Sequence, residues 1–279
     1  MNLKSIFIIL LCTIQISFAQ ITPKVNDGIL LKDTQMPQVV VLSSEKGGVC
    51  TAELVGPRVL LTAAHCCEGG VVHPQNLSST VKWEIHPDYR KITAPYYGFA
   101  LPDIYVLEND LCAIQIASEV KEITPFSLPL VAPQIGSDHI IVGAGDPHAG
   151  NRQYGFMNVK KASDRGTQAQ GTINYGRPGD SGGAFLSGNL GDRVTLVGVS
   201  SVSTYFCGEQ GVIFTRDNKN RCADQASQEP SEVFVPAHTS GFVSLTNSEN
   251  LLFLKNFEAK NKVEICGLSL KCPDVLFEQ

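Results

Sequence analysis

The chain has 279 residues, of which 43% are hydrophobic and 18% are charged. This length provides one large domain or two small ones, and the low charged fraction argues against an intrinsically disordered chain. The 22 Lys and Arg residues and 27 Asp and Glu residues give a formal net charge of -5, and no basic cluster stands out, so a nucleic-acid partner is not expected.

Residues 1–19 have the pattern of a secretory signal peptide. Lys4 supplies a positive charge, an apolar run follows from Ile6 to Ile16, and small residues precede a cleavage point between Ala19 and Gln20. The run is too short and wrongly flanked for a membrane span, although a retained anchor stays open as an alternative. We therefore expect a secreted protein, or a periplasmic one in a Gram-negative bacterium, with no membrane association after cleavage.

Short apolar segments rich in Val and Ile recur from about residue 38 to residue 245 and predict β-strands. Glycine, proline and Asn-Asp turn residues separate them, which favours an all-β protein over a helical bundle. The clearest predicted strands are Val39–Leu42, Val59–Thr62, Leu111–Ile116, Ile140–Val142, Val194–Val199 and Phe242–Leu245.

Two further segments complete the chain. The polar stretch from Asp217 to Ser231 is predicted to be a surface loop between strands. A helix is predicted near the C-terminus, with Ser248 as its N-cap, Glu249 in its first turn and an apolar stripe that ends at about Lys260.

Loss of Cys12 with the signal peptide leaves eight of the nine cysteines. An even number in an exported chain indicates up to four disulfides, and eight cysteines allow 105 pairings. No Cys-x-x-Cys pair is present, so a structural zinc site is not expected. The eight are Cys50, Cys66, Cys67, Cys112, Cys207, Cys222, Cys266 and Cys272.

Ser181 is a candidate nucleophile because glycines flank it in Gly-Asp-Ser-Gly-Gly at residues 179–183. A serine hydroxyl reacts only when a base lies within hydrogen-bond reach and a third group orients that base. The glycines permit a tight turn and leave room for a carbonyl to approach the N–H groups of Gly179 and Ser181, which could then stabilise an oxyanion. An ordinary turn is the alternative interpretation.

His65 and Asp110 are the candidate base and orienting acid. His65 follows a strand-like run and Asp110 directly precedes another. Taken singly, the histidine is more often structural and the acid a solvent-facing residue at a strand edge. The chain order His, Asp, Ser makes the combined catalytic interpretation stronger, and it differs from the orders in subtilisins and α/β-hydrolases.

Together these motifs resemble the chymotrypsin/trypsin family of serine proteases. Thr-Ala-Ala-His-Cys at 62–66 resembles the family's histidine motif, Asn109-Asp110 before apolar residues its aspartate motif, and residues 179–183 its serine motif. Gly-Ala-Gly at 143–145 stands where the family usually has Gly-Trp-Gly. The resemblance covers about residues 25 to 215 and resumes at Gly241.

The resemblance implies two packed six-stranded antiparallel β-barrels with a C-terminal helix. The expected divisions are residues 25–130, residues 131–246, and a helix with a disulfide tail at 247–279. His65 and Asp110 would come from the first barrel and Ser181 from the second, with the site in the cleft between them. The implied protein is a monomeric endopeptidase that hydrolyses protein or peptide substrates through an acyl-enzyme and needs no cofactor or metal.

The family also implies a disulfide between Cys50 and Cys66. Of the remaining cysteines, Cys266 and Cys272 are expected to close a short tail loop, Cys207 and Cys222 to close the polar segment, and Cys67 and Cys112 are left by elimination. The sequence does not decide among the pairings of these last four.

Lys24 and Val25 resemble the family's zymogen cleavage site, which implies a propeptide of residues 20–24. Cleavage would free an α-amino group on Val25. By analogy with the family, that ammonium inserts beside Asp180 and orders the oxyanion loop. The alternative is that Lys24 is merely an exposed linker residue.

The substrate pocket departs from the family pattern. Tyr175 stands six residues before Ser181, where trypsins place an acid, so we expect a preference for uncharged side chains N-terminal to the cut. Ser201 and Ser203 resemble the substrate-binding strand. Residues 211–215 resemble the motif that lines the back of the pocket, and an alternative alignment places that motif at Gly241. A catalytically inactive binding module on the same fold is the alternative function.

Overall fold

The structure is a computed structural model that describes residues 28–45, 48–89, 109–144, 151–164, 166–171, 176, 179–203, 212–214, 220–222, 233–235 and 239–277. The predicted signal peptide and propeptide therefore lie outside the described residues. Within these ranges two helices accompany the strands, α1 (Ala64–Cys67) and α2 (Ser248–Asn261). The strands in chain order are β1 (Ile29–Leu30), β2 (Val39–Ser44), β3 (Val49–Gly56), β4 (Val59–Thr62), β5 (Val72–Pro74), β6 (Thr80–Ile85), β7 (Cys112–Ile116), β8 (Asp138–Gly143), β9 (Gln153–Ser163), β10 (Gly166–Gln170), β11 (Ala184–Ser187), β12 (Arg193–Ser203), β13 (Val212–Phe214), β14 (Asn220–Cys222), β15 (Val233–Val235), β16 (Thr239–Ser244) and β17 (Val275–Leu276).

The first six-stranded barrel is built in the order β5-β2-β3-β4-β7-β6, and all of its neighbouring strands are antiparallel. Successive side chains of a strand point to opposite faces of the sheet. Ala52 and Leu54 of β3 therefore share a buried cluster with Leu60 and Ile114 inside the barrel. Val55, the residue after Leu54, belongs instead to the cluster outside the barrel wall.

The second barrel closes completely. Its order is β9-β10-β16-β12-β11-β8, and β8 pairs with β9 to complete the ring. Phe185 and Phe242 stack inside it with ring centroids 3.9 Å apart, beside Ile141 and Val197. The prediction of two six-stranded antiparallel barrels with a C-terminal helix is confirmed.

The largest apolar cluster joins the two barrels and the C-terminal helix. Leu61 of β4 and Val142 of β8 belong to it, as do Phe253 and Phe257 of α2. Burying a side chain of this size contributes about 1.5–3 kcal/mol relative to leaving it exposed. This shared core fixes the two barrels against each other and thereby positions the loops at their junction.

Two local predictions need correction. The N-cap of α2 is Asn247, whose side chain accepts a hydrogen bond of 2.7 Å from the Glu249 amide, so the cap predicted at Ser248 is wrong by one residue. Asn and Ser are comparable N-caps, and sequence alone does not rank adjacent ones. The segment predicted as an uninterrupted surface loop contains the short strand β14, which joins β13 and β15 in a separate three-stranded sheet.

The described residues contain disulfides joining Cys50 to Cys66, Cys67 to Cys112 and Cys266 to Cys272. The pair left by elimination, Cys67 and Cys112, links α1 to the start of β7. The expected pair of Cys207 and Cys222 stays a prediction, because Cys207 lies outside the described residues and only the backbone of Cys222 is described. None of the helices in the described part of the chain has the length and apolar character needed to span a membrane.

Glu53 is an acidic residue whose carboxyl group is buried at the barrel junction. It lies on β3 between Val39 of β2 and Leu61 of β4, its direct partners in the sheet, and both belong to the inter-barrel cluster. The residue is 0% exposed, and neither carboxylate oxygen has a hydrogen-bond partner. Desolvation raises the pKa of Glu53 well above its ordinary value, although the proximity of the carboxyl to the residue's own backbone amide opposes part of the shift.

We predict that Glu53→Gln stabilises the protein increasingly as pH rises. Below the unfolded-state pKa the carboxyl is neutral in both states. Above it the unfolded chain ionises first, so the wild-type free energy of unfolding falls by about 1.4 kcal/mol per pH unit until the folded pKa is passed. Urea unfolding of both proteins across this range measures the difference, which should grow with pH.

Glu122→Gln, at an exposed position, serves as the matched control and should show a small, constant difference. A constant difference between Glu53→Gln and wild type would contradict a neutral buried carboxyl.

Candidate active site

Strand pairing brings His65 and Asp110 together. His65 lies on the single turn of α1 directly after β4, and Asp110 lies two residues before β7. The two strands are neighbours in the first barrel, with Thr62 opposite Cys112. Residues 45 apart in sequence therefore meet at one end of the barrel, where β4 ends and β7 begins.

The carboxylate of Asp110 is buried and receives three hydrogen bonds. His65 Nδ1 lies 2.8 Å from Oδ2, the His65 backbone amide donates to Oδ1 at 2.9 Å, and the Ser201 hydroxyl donates to Oδ2 at 2.7 Å. Asp110 itself is 0% exposed. A buried carboxylate supported by donors on both oxygens is held in one orientation, and it holds the imidazole in turn.

Ser201 makes a contact that the sequence did not predict. Its hydroxyl faces Asp110 and the residue is 3% exposed, and its expected place on the substrate-binding strand stays a prediction. Sequence reasoning missed this contact because Ser201 lies on β12 of the second barrel, 91 residues from Asp110. Only the docking of one barrel on the other creates the pair.

The environment of His65 favours its protonated form. Burial by itself would lower the pKa of His65, but the charge of Asp110, its hydrogen bond to the ring and the charge of Glu68 outweigh burial and raise the pKa. Burial and the same two acids raise the pKa of Tyr89, which identifies Tyr89 as a neighbour of the site that no motif indicated.

The loop that carries Ser181 is held between the barrels. The Thr51 amide donates to the Ser181 carbonyl at 2.8 Å from the first barrel, and the Gly182 amide donates to the Ser200 carbonyl at 2.7 Å in the second. Gly179 and Gly182 have φ values of 101° and 82°, in the left-handed region where only glycine is unstrained. The flanking glycines therefore shape the turn, as their positions predicted.

The loop lies next to the His65 segment. The sulfur of Cys66, the residue after His65, is 3.7 Å from the Ser181 carbonyl oxygen. Within the described residues no hydrogen bond joins the Ser181 hydroxyl to the imidazole. Such bonds are often long in ligand-free sites and shorten when substrate binds.

Asp180 is 0% exposed, and its carboxylate packs against the backbone of Gly143. A Cβ atom at Gly143 would lie 1.9 Å from the Asp180 Oδ1 atom, so only glycine fits there. The proposed activation residues Lys24 and Val25 lie outside the described residues.

The substrate pocket is described only in part. Tyr175 lies outside the described residues, and the backbone of Ser203 pairs with Ser240 in the second barrel. Gly241 lies in β16 beside β12, whereas residues 212–214 form a strand of the separate sheet. This placement favours the alternative alignment at Gly241. The expected preference for uncharged side chains stays a prediction.

Ligand atoms of Cys50, His65 and Cys66 lie within 4.8 Å of one another, which suggests a metal site at first sight. The two sulfurs are bonded to each other as a disulfide and cannot supply thiolate ligands. The group is therefore a histidine beside a disulfide.

The family model described as Trypsin matches residues 26–220. Solved structures that resemble the fold at low sequence identity include the following three. The scabies mite inactivated protease paralogue S-D1 is 17% identical with a TM-score of 0.57, and the match covers 86% of this chain and 99% of that one. The scabies mite inactivated protease paralogue S-I1 is 18% identical with a TM-score of 0.53, covering 84% and 99%. Kallikrein-related peptidase 10 in complex with Zn²⁺ is 16% identical with a TM-score of 0.53, covering 83% and 98%.

We predict that Asp110→Asn lowers the pKa of His65, because it removes the negative charge that opposes desolvation while keeping the shape of the side chain. An NMR titration of the imidazole ring measures the change. Asp274→Asn, which removes an exposed carboxylate paired with Arg193, should leave His65 unchanged and is the control. An unaltered His65 titration in Asp110→Asn would show that the contact with Asp110 does not set the pKa.

Proposed function

We propose that this chain, which belongs to the trypsin family, is a secreted serine endopeptidase that hydrolyses peptide bonds through Ser181, His65 and Asp110. The observation that carries the proposal is the buried Asp110 carboxylate bonded to His65 beside the loop of Ser181. The disulfides of the described residues support export, because such bonds persist in oxidising compartments.

In the proposed mechanism His65 removes the proton of the Ser181 hydroxyl as that oxygen attacks the substrate carbonyl. Because Nδ1 faces Asp110, the other ring nitrogen is left for Ser181 and later for the leaving group. Asp110 keeps the ring in this tautomer and stabilises the imidazolium, consistent with the raised pKa of His65. Water then attacks the acyl-enzyme while His65 takes one of its protons, and His65 returns that proton to the Ser181 oxygen as the ester bond breaks and the product acid leaves.

The amides of Gly179 and Ser181 are the proposed donors to the oxyanion. They occupy the turn that the left-handed conformation of Gly179 creates. Donors fixed before the reaction lower the cost of the charge that develops on the carbonyl oxygen, and losing one donor typically costs about 10²–10³ in rate. No cofactor or metal takes part in this proposal.

A catalytically inactive binding module is the competing proposal. Two structures of similar fold come from proteins described as inactivated proteases, although likeness at 17–18% identity speaks only for the fold. This chain keeps a serine, a histidine and an acid at the three motif positions, and the histidine–acid contact is formed. These features favour catalysis over binding alone.

We predict that a fluorophosphonate probe labels Ser181 in the processed protein and that Ser181→Ala abolishes the labelling. His65→Ala should lose nearly all labelling and peptidase activity, with a fall in kcat of roughly 10⁶. Mass spectrometry of the labelled peptide identifies the site, and circular dichroism of both variants checks their folding. A folded, correctly processed wild-type protein that stays unlabelled would support the binding module instead.

We further propose activation by cleavage between Lys24 and Val25, with the new ammonium of Val25 as counter-ion of the buried Asp180. Breaking such a buried pair costs about 3–5 kcal/mol, which is enough to couple cleavage to the order of the oxyanion loop. Amino-terminal sequencing of active enzyme should therefore begin at Val25.

Lys24→Gln should block processing by a trypsin-like activator and leave the protein inactive. Lys32→Gln, at a lysine a few residues downstream, is the matched control and should be processed normally. Full activity of a chain that begins at Gln20 would contradict this activation.

A further inference from the structure

We propose that Thr51 is a positioning residue that fixes the orientation of the oxyanion-hole amides from the opposite barrel. The inference rests on the proposed peptidase function, and it concerns the Thr51 side chain, which touches neither the substrate nor the reacting atoms. Thr51 lies on β3, directly after Cys50, and is 0% exposed.

Thr51 holds the loop of Ser181 at two points. Its hydroxyl donates to the Gly179 carbonyl at 2.9 Å, and its backbone amide donates to the Ser181 carbonyl at 2.8 Å. These carbonyls belong to the same two residues whose amides are the proposed oxyanion donors. A single residue of the first barrel therefore forms hydrogen bonds to both of the residues that carry the proposed oxyanion donors.

A hydrogen bond to a carbonyl also restricts the orientation of the amide of the same residue. Because peptide units are planar, only the torsions φ and ψ set the orientation of a residue's N–H relative to its C=O. Glycine has the widest range of backbone torsions of any residue type, and Gly179 has a φ of 101°, a value that other residues rarely adopt. A hydrogen bond to its carbonyl therefore supplies a restraint that the glycine itself lacks.

The same hydroxyl connects a third segment. The Ala144 amide donates to Thr51 Oγ1 at 3.0 Å, so the hydroxyl acts as donor and acceptor at once. Ala144 follows Gly143, against which the Asp180 carboxylate packs. The Thr51 hydroxyl thus joins the strand that ends at residue 143 to the loop of residues 179–183.

The network extends back toward His65. Thr62 Oγ1 donates to the Thr51 carbonyl at 2.6 Å, and Thr62 lies three residues before His65. A Cβ atom at Gly182 would lie 2.1 Å from Thr62 Oγ1 and 2.2 Å from the Thr51 carbonyl oxygen. The segment before His65 and the serine loop therefore approach each other closely at Gly182, through the Thr62 hydroxyl and the Thr51 carbonyl.

Valine at position 51 would keep the shape of the side chain and remove only the hydroxyl. The Gly179 carbonyl and the Ala144 amide would then each lose a buried hydrogen-bond partner, which is costly for a polar group away from solvent. We expect the Gly179–Asp180 peptide to sample other orientations, which weakens transition-state stabilisation more than substrate binding.

The test compares Thr51→Val with Thr51→Ser in the processed enzyme, using a peptide substrate and the rate of fluorophosphonate labelling. Thr51→Val should lower kcat about 10-fold or more with KM within about threefold, because oxyanion donors act in the transition state. Thr51→Ser keeps the hydroxyl and should recover most of kcat.

Thr80→Val is the matched control for stability. Thr80 in the same barrel donates its hydroxyl to the Val72 carbonyl at 2.5 Å, on strands that carry none of the proposed site residues. It should lower the thermal midpoint without changing kcat. Equal kcat values for Thr51→Val and wild type would overturn the inference while leaving the proposed function intact.

A comparable loss of kcat in Thr51→Ser and Thr51→Val would overturn it too, because packing rather than the hydroxyl would then be responsible. An inactive, unlabelled wild-type enzyme would instead contradict the proposed function itself.

Discussion

The candidate site depends on one buried carboxylate, that of Asp110. A charge without solvent is costly unless donors surround it, and here the backbone and ring of His65 and the hydroxyl of Ser201 supply them. Because Ser201 belongs to the second barrel, this contact also ties the two barrels together at the site. The Asp110 carboxylate that raises the pKa of His65 therefore depends on a hydrogen bond that forms only when the second barrel packs on the first.

The serine loop is built on a different principle, namely the close approach of neighbouring groups to glycines that have no side chain. Gly182 admits the Thr51 carbonyl and the Thr62 hydroxyl at distances that exclude a Cβ atom, and Gly143 admits the Asp180 carboxylate in the same way. Hydrogen bonds from Thr51 then fix carbonyls on either side of Asp180. Gly143 and Gly182 allow these close contacts, and the hydrogen bond from the Thr51 hydroxyl restricts the backbone torsions of Gly179.

Glu53 shows what the barrel junction tolerates. It is fully buried two residues along the strand from Thr51, between Val39 and Leu61, and its oxygens have no hydrogen-bond partner. A neutral carboxyl is compatible with such a place, whereas an ionised one is not. The junction therefore combines a satisfied acid at Asp110 with an unsatisfied one at Glu53, and their different surroundings give them different electrostatic roles.

By itself the sequence predicted an all-β chain, because short apolar segments separated by turn residues are a local signal. Through the resemblance of its motifs to the trypsin family, the sequence also implied two barrels and a contact of His65 with Asp110. It also restricted the turn at 179–183 through its glycines. Only the tertiary structure decided that Ser201 faces Asp110, that the Thr51 hydroxyl bonds to Gly179, and that Gly241 rather than residues 212–214 lies in the second barrel. Each of these joins segments from different barrels or sheets, and their positions follow from how the apolar faces pack, which no local pattern encodes.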